Sequence, residues 1–263
     1  MRREGTLYTI LFTCGVCGIC SVLVSGAAVG LKERQIANRI LERQTHVLAV
    51  TGMIDRGAHP TASQIREIFQ DRVVAKVIDL ATGEFDDSAD VATFDQRRAA
   101  KDPATSTPAP ENDARVLRLP KNALVYLIRE KGSRDEIEQI VLPVEGMGLW
   151  SILYGYLALD KDTTTIRGIT FYEHGETPGL GGEVENPTWT AKWPGRKAFD
   201  NAWQPAVRVV KGVAGGPEED PHHVDGLSGA TLTSRGVTNL LAFWLGDNGF
   251  GPFLGKIREQ QGS

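Results

Sequence analysis

Cysteine is confined to the N-terminal end of this 263-residue chain, where Cys14, Cys17 and Cys20 are its three cysteines. A disulfide framework is therefore excluded after Cys20, and cysteine usage leaves the redox compartment undecided. An iron–sulfur cluster in the same segment would need four cysteine ligands. We interpret the three cysteines as small apolar residues of a helix that packs against another helix.

Two other features are missing, and each excludes a class of function. There is no run of basic residues, and the formal net charge is -4, so we expect no nucleic acid partner. There is no Gly-x-Gly-x-x-Gly segment between a strand and a helix, and strands do not alternate with helices. A Rossmann domain that binds a dinucleotide is therefore not expected.

Charged residues are absent from Gly5 to Leu31, and this segment can span a lipid bilayer. A cleaved signal peptide is the alternative, because Ser25–Ala28 offers small residues for cleavage. The apolar part is longer than a usual signal core, so we predict a retained anchor over residues 1–32. Basic residues lie on both sides of it, and a local count alone would place the following segment in the cytoplasm.

Periodicity beyond the anchor predicts an α+β fold with a mostly antiparallel sheet flanked by helices. Helices are expected up to about residue 50 and over 61–69. Pro143–Leu159 is interpreted as a turn followed by a long strand, and 86–113 as a polar loop. Further strands are predicted over 72–80, 123–129, 137–142, 164–172 and 207–212, and residues 251–254 are expected to dock the C-terminus.

The most informative stretch is Asp225-Gly226-Leu227-Ser228-Gly229-Ala230-Thr231-Leu232-Thr233-Ser234. A helical pattern follows it, in which Val237, Leu240, Leu241 and Trp244 have the spacing of one buried helix face. Thr233 or Ser234 is the expected N-cap of this helix. A helix start offers unpaired N–H groups and a positive dipole end, which suit a phosphate. Capping explains one or two hydroxyls but not the whole pattern. The pattern resembles the acceptor motif at which flavin transferases esterify a threonine to the phosphate of FMN.

Two upstream stretches could bound a flat ligand. Trp150 and Tyr154 could form one wall, or they could be core aromatics. In Glu176-Thr177-Pro178-Gly179-Leu180-Gly181, the Pro-Gly pair predicts a type II turn and the glycines permit close approach. Lys211 could offset flavin charge or be an ordinary surface lysine. His174 is interpreted as solvated because it is a lone histidine in a loop. The pair His222-His223 is interpreted as part of a solvated loop, because no metal-binding frame fixes its geometry.

Together these stretches identify a family. The chain resembles the C subunit of Na⁺-translocating NADH:quinone reductases in its N-terminal span, Phe94–Ser106, Gly148–Ser151, Glu176–Gly181 and Asp225–Thr231. The G subunit of Rnf-type ferredoxin:NAD reductases shares the N-terminal span, the acceptor motif and the loop around Glu176–Gly181, called the glycine loop below. The stretch Phe94–Ser106 favours the quinone reductase. The resemblance implies that Phe94–Ser106 is a family feature rather than a spacer within the polar loop.

The resemblance implies an electron-transfer subunit of a Na⁺-pumping NADH:ubiquinone reductase. FMN would be joined covalently by a phosphoester to Thr231 and would pass electrons in one-electron steps. No catalytic residue or metal ligand is expected, and NADH would be oxidised in another subunit. The implied FMN surroundings are Trp150, Glu176, Thr177, Leu180, Lys211, Leu227, Ser228, Gly229 and Ala230.

The family also implies partners and a location. The partners would be the lipid bilayer, the other membrane subunits of a six-subunit assembly and, during maturation, a flavin transferase. Residues 33–140 would form the N-terminal part of a periplasmic domain, and residues 141–263 an FMN-binding domain. This location at the bacterial inner membrane contradicts the local charge count, but long domains can translocate regardless of such charges.

Two other function classes remain open at this point. One is a membrane-anchored FMN module that senses redox state. The other is a structural subunit without flavin, in which the hydroxyl-rich motif only caps a helix. Detection of covalent FMN would exclude the structural subunit without flavin. Copurification with the other reductase subunits would favour the electron-transfer subunit over the redox-sensing module.

Overall fold

The computed structural model describes residues 5–54, 58, 60–133 and 136–261. The chain divides into two compact units, Met1–Arg43 and Gln44–Ser263. The α-helices of the described residues are α1 (Thr6–Val50), α2 (Ala62–Arg72), α3 (Gln96–Lys101), α4 (Pro187–Thr190), α5 (Thr231–Leu245) and α6 (Gly251–Gln261), and a short 3-10 helix spans Gly181–Glu185. The strands are β1 (Val73–Asp79), β2 (Ser106–Pro108), β3 (Arg118–Pro120), β4 (Asn122–Arg129), β5 (Ile137–Met147), β6 (Ile152–Asp160), β7 (Ile166–Glu173), β8 (Arg208–Val209) and β9 (His223–Val224).

The first unit consists of the N-terminal part of α1, a helix of 45 residues. It contains a stretch with a mean hydropathy of 2.2, none of which is buried, long and apolar enough to cross a membrane. The predicted continuation of the helix to about residue 50 is confirmed. Cys14, Cys17 and Cys20 are exposed free thiols on this helix.

The second unit is built on a five-stranded antiparallel sheet in the order β1-β4-β5-β6-β7. The predicted α+β class and antiparallel pairing are confirmed. The predicted parts 33–140 and 141–263 both contribute strands to this sheet, and the functional boundary at residue 140 stays a prediction. Two small pairs accompany the sheet, antiparallel β2-β3 and parallel β8-β9.

In Pro143–Leu159 the predicted long strand is confirmed as β6, but the predicted position of the turn was wrong. Strand β5 continues through Pro143 to Met147, and the turn lies at residues 148–151 before β6. Gly146 lies within β5 and gives room for packing. A Cβ there would lie 2.6 Å from Cβ of Leu240 in α5.

Three other segments also differ from what the sequence predicts. The polar stretch 86–113 contains α3 and β2, and β2 pairs with β3, which follows it after residues 109–117. The strand predicted over 207–212 shrinks to β8, which pairs only with the equally short β9. Residues 251–254 do not merely dock the C-terminus but begin the helix α6.

Helix α5 packs against β5 and forms one side of the core. Its predicted apolar face is confirmed, since Val237, Leu240, Leu241 and Trp244 are all buried. Each such side chain contributes about 1.5–3 kcal/mol by leaving water. The indole Nε1 of Trp244 donates to the carbonyl of Glu145 at 2.6 Å, which fixes the helix along the strand.

Gly236 sets how closely α5 approaches the end of β5. A Cβ at this position would lie 2.5 Å from the carbonyl oxygen of Met147 and 3.0 Å from Cα of Gly148. Gly236→Ala should therefore destabilise the fold by about 1–3 kcal/mol, because backbone must move. Gly255→Ala in α6 is the matched control, since its Cβ meets nothing within 4 Å. It should be neutral or stabilise by up to about 1 kcal/mol in thermal unfolding. Equal effects of the two substitutions would contradict this packing argument.

Candidate functional site

Three segments meet at one end of the sheet, and the carboxylate of Glu176 joins them. They are the turn 148–151, the loop after β7 and the first turn of α5. Oε1 of Glu176 accepts hydrogen bonds from the amides of Leu149 at 3.1 Å, Trp150 at 2.9 Å and Ser151 at 3.1 Å. Oε2 accepts from the hydroxyl of Thr233 in α5 at 2.7 Å. One side chain thus fixes the relative position of all three segments.

The Glu176 carboxylate is buried, with 5% of the residue exposed. Burial by itself raises the pKa of Glu176, but the hydrogen bonds from Thr233 and the turn amides outweigh it, so the pKa is lowered. The carboxylate therefore stays ionised at neutral pH. It serves as a fixed acceptor for the surrounding donors.

The loop after β7 forms the predicted turn at Pro178-Gly179. The amide of Leu180 donates to the carbonyl of Thr177 at 3.1 Å, and Gly179 has φ +75. These are the features of a type II turn, which is confirmed. Gly181 follows where no side chain fits, since a Cβ would lie 2.6 Å from both Oε2 of Glu176 and Oγ1 of Thr233.

The predicted N-cap of α5 was wrong. The helix begins at Thr231, and Ala230 occupies the cap position without any side-chain hydrogen bond. Thr233 and Ser234 lie inside the first turn and are buried. Their hydroxyls bind protein instead, because Thr233 donates to Glu176 and Ser234 accepts from the amide of Leu227 at 3.1 Å. These contacts cross between segments, so helix propensity alone could not reveal them.

The exposed hydroxyls of the motif are therefore Thr231 and Ser228. Thr231 is the first residue of a helix whose start has no side-chain cap, so N–H groups and the positive dipole end remain available there. Gly229 precedes it with φ +71, a conformation that side chains rarely adopt. A Cβ on Gly229 would lie 2.9 Å from Cδ2 of Leu180, so the glycine loop and the motif are in contact. A phosphate ester fits this helix start.

Asp225 fixes the other end of the motif. Its carboxylate accepts hydrogen bonds from Nζ of Lys192 and from the amide of Ala214. Burial raises the pKa of Asp225, but these bonds outweigh it and the pKa is lowered. The carbonyl of Asp225 accepts from Nε1 of Trp189 at 2.8 Å. Asp225 is thus a structural anchor for the motif.

Lys211 lies on an exposed loop beside the motif. The amide of Gly226 donates to the carbonyl of Gly212 at 2.8 Å, and a Cβ at 226 would meet the carbonyl of Val210 at 2.3 Å. The backbone on both sides of Lys211 therefore contacts the segment that leads to Thr231. Its side chain is exposed.

The two aromatic residues predicted as a ligand wall or as core behave differently. Trp150 is 69% exposed at the tip of the turn, next to the amides that bind Glu176. Tyr154 is covered by Arg97, whose guanidinium carbon lies 3.5 Å from the ring centroid. Trp150, Leu180 and Leu232 leave exposed apolar surface on the three segments of the site. Exposed apolar surface of this kind is typical of a site that contacts a ligand or a partner.

The prediction that His174 is solvated was wrong. His174 is not solvated: its side chain is 9% exposed, and its Nδ1 accepts from the amide of Glu176 at 3.2 Å. In the Gly215–His223 loop, His222 contacts the carbonyl of Lys197 and His223 contacts Asp220. The described residues contain no group of ligands that could hold a metal ion.

Some functional positions are not predictable from the sequence. Ser151 accepts from the amide of Gly175 at 2.6 Å and so joins two of the three segments. Trp189 in α4 and Lys192 just after that helix hold Asp225. No spacing rule relates these residues to the motif. The one available signal was the family resemblance of Gly148–Ser151, which marked this stretch without predicting a turn there.

Comparison with known proteins bears on this geometry. Residues 148–246 match the FMN-binding domain family, a range that contains all three segments. The chain is 48% identical to the C subunit of the Na(+)-translocating NADH-quinone reductase of Yersinia pestis over 253 residues, which cover 95% of this chain and 92% of the relative. It is 46% identical to the protein of the same name from Pseudomonas aeruginosa, with 98% of each chain covered.

A solved structure shows the same fold. The crystal structure of Shewanella oneidensis NqrC superposes with a TM-score of 0.75 at 38% sequence identity. The alignment covers 83% of this chain and 97% of that one.

Proposed function

This chain belongs to the family formed by the C subunit of the Na⁺-translocating NADH-quinone reductase, and on that premise we propose that it carries FMN as a phosphoester on Thr231. It is an FMN-binding subunit of that reductase and takes part in electron transport coupled to sodium translocation. The finer proposal is that it passes electrons in one-electron steps between neighbouring subunits. The alternative is the G subunit of an Rnf-type complex, but the relatives compared above are named as C subunits of the quinone reductase.

The proposal that Thr231 carries the ester rests on the exposure and the hydrogen bonds of the four hydroxyl groups in the motif. Thr233 and Ser234 are buried and engaged in hydrogen bonds with Glu176 and Leu227. Ser228 is exposed, but it lies before the helix, separated from its start by Gly229 and Ala230. Thr231 alone among them is exposed at the helix start, where the dipole favours a phosphate.

When bound, FMN supplies the redox chemistry, and the protein supplies position and electrostatics. Glu176 holds the turn, the glycine loop and α5 together, and Gly229 lets the backbone come close to the ligand. The exposed side chains of Trp150 and Leu180 would cover apolar parts of the ring, and Lys211 would offset negative charge. The proposed surroundings of the flavin therefore remain Trp150, Glu176, Thr177, Leu180, Lys211, Leu227, Ser228, Gly229 and Ala230.

The test is the mass of the matured chain. The protein is coexpressed with a flavin transferase, digested, and the peptide that contains Thr231 is analysed by fragmentation. We expect the added mass of FMN, less water, on Thr231. An unmodified peptide from a preparation with active transferase would refute the proposed ester, as would the added mass on Ser228.

We further propose that the second unit is periplasmic and that α1 anchors it in the inner membrane next to five other subunits. The length of Gln44–Ser263 supports this, because long domains translocate despite basic flanking residues. Protease added to spheroplasts should digest this part of the chain. Its full protection, with digestion after lysis, would place it in the cytoplasm instead.

A further inference from the structure

The segment Phe94–Ser106 lies outside the three site segments, yet it contacts the strands that carry two of them. Asp95 caps α3 by accepting from the amide of Arg98 at 3.0 Å. The side-chain oxygen of Gln96 accepts from the amide of Leu124 in β4 at 2.9 Å. The short helix is therefore fixed to the sheet at its N-terminal end.

Arg97 of this helix makes a bidentate contact with Glu173. Its two terminal nitrogens lie 2.7 Å from the two carboxylate oxygens. The same guanidinium stacks on the ring of Tyr154, 3.5 Å from its centroid. Glu173 and Tyr154 are cross-strand partners in β7 and β6. The guanidinium of Arg97 thus contacts two adjacent strands. Its two parallel hydrogen bonds to Glu173 restrict its orientation more than one hydrogen bond would.

The two strands lead directly to the site. Glu173 is the last residue of β7, and the glycine loop begins after it. Tyr154 lies near the start of β6, just after the turn 148–151. The turn and the loop are themselves joined by the bond from the amide of Gly175 to Ser151. Arg97 therefore contacts the bases of both segments from the face of the sheet.

We propose that Arg97 is a positioning residue for the flavin site, holding the bases of the turn 148–151 and of the glycine loop in register. The inference rests on the proposed function only in naming flavin as the ligand of these segments. The segment Phe94–Ser106 thereby has a structural role. Its Arg97 acts through Glu173 and Tyr154 and does not contact the ligand.

The charges support a permanent contact. The hydrogen bonds from Arg97 lower the pKa of Glu173, and those to Glu173 raise the pKa of Arg97. Both groups therefore stay charged across the neutral range. Their side chains are 36% and 56% exposed, so the pair contributes little to global stability, and its effect is expected to be local.

The first test uses the full-length chain in detergent without flavin. Amide hydrogen exchange is compared in Arg97→Gln and in Arg98→Gln, the matched control. Arg98 is the next residue of the same helix, and it has no ion pair within the described part of the chain. Arg97→Gln should accelerate exchange about fivefold in peptides covering 148–151 and 174–180. Arg98→Gln should leave both peptides unchanged, although it removes the same charge.

Glu173→Gln removes the pair from its other side and keeps the proposal testable if Arg97→Gln fails to fold. It should accelerate the same two peptides. Arg97→Lys keeps the charge without the bidentate geometry, so its exchange rates should lie between those of the wild type and Arg97→Gln. Unchanged rates in both Arg97→Gln and Glu173→Gln, or equal acceleration in Arg98→Gln, would overturn the proposal.

The second test uses the flavinylated chain and separates this inference from the ester. Peptide mass reports whether FMN is present on Thr231 in each variant. Arg97→Gln should keep FMN but change its visible circular dichroism and shift its midpoint potential, whereas Arg98→Gln should change neither. A wild type without FMN would refute the ester and leave the exchange result standing. Full FMN with an unaltered spectrum and potential in Arg97→Gln would refute the positioning role.

Discussion

Thr231→Ala should give a folded protein that carries no covalent FMN after coexpression with a flavin transferase. The hydroxyl is the proposed point of attachment, and alanine offers no oxygen for the ester. Thr231 is exposed, and alanine is a better helix former, so stability should change by no more than about 0.5 kcal/mol. Yellow fluorescence on a denaturing gel and intact mass measure the loss, and thermal unfolding confirms the fold.

Ser228→Ala is the matched control for this substitution. It removes the other exposed hydroxyl of the motif but not the oxygen of the proposed ester, so covalent FMN should still form on Thr231. Thr233→Ala is less informative, because it also removes a hydrogen bond to Glu176. Covalent fluorescence that persists in Thr231→Ala and disappears in Ser228→Ala would reverse the assignment.

Glu176→Gln should destabilise the fold by about 2–3 kcal/mol at neutral pH, because several donors lose a charged acceptor. An amide has one acceptor oxygen, and its NH₂ group would face a donor that Glu176 now satisfies. Glu185→Gln is the control, since this glutamate lies nearby on the chain and its side chain is 62% exposed. Urea unfolding of the three proteins gives the comparison.

The same pair of variants tests the protonation state. The pKa of Glu176 is lowered in the folded protein, so its stabilising contribution is complete above the ordinary glutamate pKa of about 4.3. The contribution is lost as pH falls through the folded pKa. The stability difference between wild type and Glu176→Gln should therefore shrink below about pH 4. A difference that stays constant down to about pH 3 would contradict an ionised Glu176.

The sequence was sufficient for most regular elements and for the motif. The apolar spacing of Val237, Leu240, Leu241 and Trp244 predicted the buried face of α5. The Pro178-Gly179 pair predicted its turn, because glycine at that position favours positive φ. These are local properties, determined by a few neighbouring residues. The family resemblance then connected stretches that are far apart in the chain.

Long-range contacts could not be predicted in the same way. Glu176 and Thr233 are bonded across a wide separation in sequence, so Thr233 was taken for a cap. His174 was assigned to solvent because it is a lone histidine in a loop, while the fold buries its ring. The turn expected at the start of Pro143–Leu159 lies later, at residues 148–151, because β5 extends through Pro143 to Met147 in its pairing with β6. In each case tertiary structure overrode a valid local preference.

The contacts of Asp225 have a consequence for how the proposed ester on Thr231 would form. Formation of an ester requires the Thr231 hydroxyl to give up its proton to a base. Asp225 is a poor candidate, because Lys192 and Ala214 engage its oxygens and its lowered pKa makes it a weak proton acceptor at neutral pH. The proton acceptor is then expected to belong to the transferase. Asp225 would serve instead to hold the motif, and with it the Thr231 hydroxyl, in a fixed conformation.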